Sequence, residues 1–396
     1  MMKKAFAILL LASLVSCSFF GEKNKVGDYI EKPDYSLKSV EFVPVLPYFA
    51  EGLTPVSLYS GYDELLYVVD SAKAIYSYDA AGRQLGRFEL PNVYFVIQNR
   101  SLDLYALARI DTIINGLSYN LPAIYKISQK EFTDGGNTTL LNLNLAEVKK
   151  KLVYPYCINE ANKLTDKVAI EKTKLNAIGF LDDNSYYVTS SGPQETNTQY
   201  ITRKNSILSF NNKDVFVGGF SESGSIEPLG ITTLVQPPQR ARMETRKDFI
   251  YTSRTSGLAI STRFMQITVD AEGNPTTSFK PLALPSATDA SGYLYQTFRF
   301  KEPNAVLYGG TSQKYLFLID EATDSVHVFQ ENGYEGTTPP PQYTNRKLIK
   351  VGFGGRGTGP TQFGRPAALA YFNRMLFVAD AEQKRVARFK LSSDYE

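Results

Sequence analysis

The stretch GTGPTQFGRPAALAYFNRMLFVADAEQKRVARFK, residues 357–390, rhymes with PVSLYSGYDELLYVVDSAKAIYSYDAAGRQLGRF, residues 55–88. In both, a short apolar strand leads through a tight polar turn to an apolar run ending in Val-x-Asp. A second polar turn and an alternating strand follow. Two copies of one supersecondary unit at opposite ends of a chain predict a repeat array, and strand-rich repeats of this kind close into rings.

The repeat can be counted by its central strand. LLYVVDS (65–71), LDLYALAR (102–109), SYYVTSS (185–191), DFIYTSR (248–254), YLFLIDE (315–321) and MLFVADA (375–381) give six units. Each is followed by an outward strand: AIYSYDA, AIYKISQ, NSILSFN, MQITVDA, SVHVFQE and RVARFKL. The anchors Tyr67, Tyr105, Tyr187, Tyr251, Phe317 and Phe377 lie 38, 82, 64, 66 and 60 residues apart, so long insertions must separate some blades. The charged stretch from Asn144 to Lys174 reads as such an insertion, with room for a seventh blade; within it, Leu145 to Leu152 carries the chain's one hint of helical periodicity. The last unit supplies three strands, roughly 367–370, 375–379 and 385–391, and the chain then ends. The apolar segment Val40 to Leu46 is placed to be the missing fourth, a closure that removes an unpaired edge. The expectation is an all-β, six-bladed β-propeller closed by an N-terminal strand.

The segment FGGRGTGPTQFGRPAALAYFNRMLFVADAEQKRVARF, residues 353–389, resembles an NHL-type propeller repeat through Gly357, Gly359, Pro360, Phe363, Pro366, Val378, Asp380, Arg385 and Phe389. Residues 65–90 and 315–333 resemble the second half of that repeat. Together with Leu14-Val15-Ser16-Cys17 in the leader, which is similar to a bacterial lipobox, the chain resembles the six-bladed, TolB-like propeller lipoproteins of Bacteroidota. The resemblance implies a fold and no particular reaction, since propellers host binding proteins, lyases and lactonases alike.

Lys3 and Lys4 precede an apolar stretch from Ala5 to Val15, followed by Ser16 and Cys17. A basic start, a short apolar core and a small residue at the cut make a secretory signal, too short to span a bilayer permanently. Leu14-Val15-Ser16-Cys17 resembles a bacterial lipobox, which implies acylation of Cys17. Residues 1–16 are therefore read as signal peptide, 17–38 as a lipidated tether and 39–396 as the propeller. Ser18, where an Asp would favour the inner membrane, points to the outer membrane. The segment Ser-Phe-Phe-Gly-Glu-Lys after the cysteine lacks an acidic export run, which favours the periplasmic face over the cell surface.

Composition fits a large exported β-protein: 43% of the 396 residues are hydrophobic and 21% charged, with 26 Tyr, 24 Phe and no Trp, and strands favour aromatic residues. With Cys17 acylated, Cys157 has no partner within the chain, so stability must come from packing. The formal charge of +3 falls to +1 once Lys3 and Lys4 are removed, a balance that does not suggest nucleic acid as a partner.

The chemistry is sparse. A single histidine, His327 in SVHVF, rules out a metal centre built on several imidazoles and reads as a strand residue on an outer face. Asp70, Asp320 and Asp380 recur at equivalent positions. A carboxylate ring for Ca²⁺ is one reading; capping of turn N–H groups is the better one. Gly352, Gly354 and Gly357 fit G-x-G-x-x-G, but Pro360 and Pro366 oppose the helix a dinucleotide site needs, and the glycines read as a flexible connection between blades five and six. The loop QPPQRARMETRK, residues 236–247, carries Arg240, Arg242, Arg246 and Lys247 against Glu244, a rim that would suit an acidic partner. No cofactor, metal or nucleotide is implied. The chain reads as a non-enzymatic binding or scaffold module for another envelope protein or a ligand; the alternative is an extracytoplasmic hydrolase or lyase acting on a sugar or lactone, with carboxylates from different blades meeting in the channel. Three or more acidic or amide groups at one channel mouth would favour that alternative.

Overall fold

The computed structural model describes residues 40–395 apart from 133–138, 164–165, 194–204, 221–225, 236, 238–244, 255–259, 270–274, 280–291, 311–313 and 341–346. The leader, Cys17 and the tether lie outside these residues, as do Arg240 and Arg242.

Six four-stranded antiparallel sheets form the blades of a β-propeller. Blade one is β2 (Pro55–Ser60), β3 (Leu66–Asp70), β4 (Ala74–Tyr78) and β5 (Gln84–Glu89), running outward in that order. Blade two is β6 (Val93–Gln98), β7 (Leu104–Ile114), β8 (Leu117–Ser128) and β11 (Glu147–Val153), with a small hairpin of β9 (Lys130–Phe132) and β10 (Thr139–Leu141) before its last strand. Blade three is β12 (Lys174–Phe180), β13 (Tyr186–Ser191), β14 (Ser206–Phe210) and β15 (Phe216–Phe220). Blade four is β16 (Ile226–Thr233), β17 (Phe249–Arg254), β18 (Thr262–Val269) and β19 (Pro275–Phe279). Blade five is β20 (Pro303–Tyr308), β21 (Tyr315–Asp320), β22 (Ser325–Gln330) and β23 (Phe353–Gly354). Blade six takes β24 (Pro366–Phe372), β25 (Met375–Asp380) and β26 (Arg385–Leu391) from the C-terminal end and β1 (Phe42–Pro44) from the start.

The second strand of each blade is a near-continuous apolar run because both its faces are covered by neighbouring blades. All residues of β3, β13, β21 are buried. The outer strand β5 instead alternates between exposed and covered positions. The six expected anchors, Tyr67, Tyr105, Tyr187, Tyr251, Phe317 and Phe377, are all buried. Six apolar clusters fill the interfaces between successive blades; Tyr67 and Val69 of blade one, for example, pack on Val93, Val96 and Leu104 of blade two.

The ring closes as the missing strand predicted. Phe42 faces Leu391 and Pro44 faces Phe389. Ser392 N donates to Glu41 O at 2.8 Å, and the Arg388 guanidinium donates to Pro47 O at 2.9 and 3.1 Å. Phe42 is buried against the blade-five interface, its ring centroid 6.1 Å from Phe317.

Two expectations are corrected. The stretch 144–174 is neither a pure insertion nor a seventh blade: Glu147–Val153 is the outer strand of blade two, paired with β8. The helical hint there is overridden because tertiary pairing outweighs the weak helix preference of Glu and Lys. The rest of the stretch forms α1 (Pro155–Asn162) and α2 (Lys167–Glu171), which seat Cys157, Ala161 and Ile170 in the core beside the extended β7–β8 hairpin. The glycine run is also not a loose connection. Gly354 sits at φ +126 within β23, where a Cβ would lie 2.5 Å from Asp324 O, and Gly355 N donates to that same oxygen at 2.7 Å.

Candidate functional site

The six innermost strands, β2, β6, β12, β16, β20 and β24, enclose a central cavity of about 530 Å³. All six start at one face of the ring and run toward the other. Each breaks register near its start, between Pro55 and Ser57, Val93 and Phe95, Leu175 and Ile178, Pro228 and Ile231, Pro303 and Ala305, and Pro366 and Ala368. A bulge puts an extra residue against one partner and re-aims its side chain. The result is a ring of bulge residues facing the cavity at one mouth: Val56, Tyr94, Asn176, Leu229, Asn304 and Ala367.

The polar members of this ring differ in how their groups are used. Tyr94 Oη donates to Leu175 O of the next blade at 2.8 Å. Burial pushes the Tyr94 hydroxyl well above its ordinary value, and the charge of Arg109 pulls against that rise. Asn176 Nδ2 donates to Ser191 Oγ at 2.8 Å and to Pro228 O at 2.6 Å, tying blade three to blade four. The Asn304 amide has no hydrogen-bond partner among the described residues. Beside it, a Cβ on Gly230 would lie 2.9 Å from Asn304 O, so only glycine lets blades four and five approach this closely.

Charged side chains stand at the same mouth. Arg109, midway along the extended β7, donates to Asn120 Oδ1, Asn120 O, Thr173 O and Glu171 O, all uncharged acceptors. Lys174 opens β12 and is exposed; Arg365 precedes β24 and is exposed; Glu321 follows β21 and is half-buried. Burial raises the Glu321 carboxyl above its ordinary value against the opposing pull of Arg365. Below the mouth the wall is apolar, with Phe95, Ile231, Val306, Leu307 and Leu369 among its residues. Lower still, hydroxyls link blade to blade: Thr233 Oγ1 donates to Phe180 O at 2.5 Å, and Ser60 Oγ to Tyr371 O at 3.3 Å.

The recurrent aspartates are turn-capping groups. Asp70 Oδ1 accepts from Thr54 N at 2.8 Å. Asp320 accepts from Glu302 N at 2.9 Å and Lys301 N at 3.2 Å. Asp380 accepts from Gly364 N, Arg365 N and Gln383 N at 2.9–3.1 Å. All three are buried and hold the segment that enters the innermost strand of their own blade, so none lines the cavity.

His327 is half-buried on β22, its Nε2 3.1 Å from Ser325 Oγ and its Nδ1 3.5 Å from Glu335 Oε1. Glu335 is also 2.6 Å from Arg299 and 3.1 Å from Lys350. This is a structural cluster away from the channel. Of the basic loop, Arg246 lies 3.7 Å from Glu331, and Lys247 O accepts from Tyr187 Oη at 3.0 Å. These two precede β17 and stand on the face opposite the charged mouth, outside the cavity lining. The sequence reading missed the mouth residues because blades separated by scores of residues contribute one side chain each. The only available signal was their equivalent position at the head of an innermost strand.

No family model and no curated protein sequence matches this chain. Similar solved structures include virginiamycin B lyase from Staphylococcus aureus, at 12% identity over 89% of this chain and 99% of that one, TM-score 0.42. An auxiliary nutrient binding protein from Bacteroides ovatus matches at 12% identity over 87% of this chain and 70% of that one, TM-score 0.43. A carbohydrate-active enzyme of family AA12 from Trichoderma reesei matches at 10% identity over 88% and 97%, TM-score 0.48.

Proposed function

We propose that this chain is a lipid-anchored propeller of the outer membrane that binds through its central channel without transforming what it binds. The observation that carries this reading is the make-up of the mouth: Glu321 is the one carboxylate among the described residues lining the cavity, set among three cations over an apolar wall. General acid–base chemistry needs paired groups in reach of the reacting atoms; capture needs an enclosed apolar space with a few convergent polar groups. The leader and the lipobox-like Leu14-Val15-Ser16-Cys17 support a lipid anchor, and the Ser-Phe-Phe-Gly-Glu-Lys segment after the cysteine favours the periplasmic face. The partner is another envelope protein or a ligand that such a protein delivers, and Arg240, Arg242, Arg246 and Lys247 remain a proposed contact for an acidic partner. Crosslinking and affinity purification from native membranes test this. A stable envelope partner, lost on Arg240→Glu with Arg242→Glu, supports the loop; full retention of all partners removes it.

One observation favours the second reading, a hydrolase or lyase. Asn176, Asn304 and Glu321 put two amides and one carboxyl at a single mouth, and a carboxyl raised by burial is the form a general acid takes. Asn176 already has both its amide donor bonds made within the fold, which weakens the case. Turnover of a sugar or lactone that disappears in Glu321→Gln would establish this reading in place of the first.

A further inference from the structure

The ligand class can be read from how charge is distributed around the mouth. On the blade-five and blade-six side, one carboxylate, Glu321, stands at the mouth with one cation, Arg365, whose charge pulls against the rise that burial imposes on the carboxyl. On the blade-two and blade-three side, Arg109 and Lys174 are neighbours, since Arg109 Nη1 donates at 3.1 Å to the carbonyl of Thr173, the residue before Lys174. Every hydrogen bond of Arg109 ends on an uncharged oxygen. The Lys174 ammonium makes no ion pair among the described residues. The nearby carboxylates are not paired with either cation: Glu171 Oε1 accepts from Asn120 N at 3.0 Å and lies 3.9 Å from Lys167 Nζ, and Asp111 Oδ1 accepts from Asn120 Nδ2 at 2.7 Å.

Two cations without a carboxylate partner thus open directly above apolar wall. Leu175 and Ile178 below Lys174 are packed between blades two and three, and the apolar surface open to the cavity comes from partly exposed residues of several blades, among them Val56, Phe95, Leu229 and Leu307. A small hydrophilic anion would leave that wall wet, and a neutral apolar molecule would leave the cations unmatched. We infer that the channel takes an amphiphilic anion, its acidic head group held by Lys174 beside the charge of Arg109 at the mouth and its apolar body against Phe95, Leu229 and Leu307. This rests on the reading of the channel as a binding site. A cavity of about 530 Å³ lies in the range of small-ligand pockets and exceeds what a head group alone fills.

Arg109 is unsuited to mutation because its bonds hold the β7–β8 hairpin to the segment before β12. Lys174 is exposed and carries no structural bond through its side chain, so Lys174→Gln isolates the charge. Lys172→Gln removes an exposed lysine two residues away, outside the cavity lining, and serves as control. Titration calorimetry with the full chain compares octanoate, octan-1-ol and inorganic phosphate. Octanoate is expected to bind about tenfold tighter than either of the others, and Lys174→Gln to bring it close to octan-1-ol with the thermal melt unchanged. The Lys172→Gln protein should bind octanoate as the parent does. Equal affinity for octanoate and octan-1-ol, or no effect of Lys174→Gln, overturns the anionic class while leaving the channel a binding site. No heat from either amphiphile overturns the inference and the channel reading together.

Discussion

At the scale of single residues, the recurrent aspartates show how one side chain sets a blade. Asp380 holds three backbone N–H groups of two different loops. Removing a buried acceptor leaves its donors unsatisfied, so Asp380→Ala should lower stability by about 3 kcal/mol or more, and Asp380→Asn by roughly half of that. Urea denaturation of the two variants measures both. Glu335 is the second such residue. Burial pushes its carboxyl up, but the hydrogen bond from His327 and the charges of Arg299 and Lys350 outweigh burial and hold it at about 2. A depressed carboxyl stabilises the fold above the ordinary value of 4.5, and that contribution is lost as the pH falls toward 2. Glu335→Gln should therefore cost about 2–3 kcal/mol at neutral pH. The difference from the parent should vanish as melts are taken from pH 4.5 down to pH 2. A difference that persists unchanged at low pH would show that the ion cluster is not its source.

At the scale of elements, what could be read beforehand was whatever repeats locally. LYVVD and MLFVAD announce buried strands because both faces of a second strand must be apolar, and a Val-x-Asp ending recurs because its carboxylate is needed by the loop beside it. The closing strand was legible for a similar reason: a three-stranded last unit and an unassigned apolar segment at Val40. Phe42→Ala should cost about 3 kcal/mol by emptying a buried aromatic site, and deleting residues 39–47 should both lower the melting temperature and promote aggregation on size-exclusion chromatography. Undisturbed melting after that deletion would contradict the pairing with β26. The fourth strand of blade two was hidden because EVKKKLV is charged on its exposed face and gains its strand identity only from β8. The bulges were hidden too, since a register shift leaves no mark in composition. So the mouth they create, with Tyr94, Asn176 and Asn304 turned inward, could not be assembled from spacing. The Gly230 contact is of this kind, and Gly230→Ala should cost about 1–3 kcal/mol because the new methyl meets backbone of the next blade.

At the scale of the whole molecule, anchoring and orientation are the testable matters. Cys17→Ser should move the protein from the detergent phase to the aqueous phase on Triton X-114 partition, and globomycin should cause the precursor to accumulate; no change of phase in the variant and no accumulation with globomycin would contradict a lipid anchor. The described chain enters blade six at the end where Leu391 lies, the face opposite the charged mouth. The closing blade has a further consequence. Glu41 N and Ser392 Oγ, 3.1 Å apart, are 351 residues apart in sequence, so β1 must wait during synthesis for β26, its pairing partner. While residue 391 is still being made or threaded through a pore, the molecule is a gapped ring with two raw edges, and such long-range pairings form late. A product cut short before β26 cannot close the ring: it keeps two open edges that are free to pair with other chains.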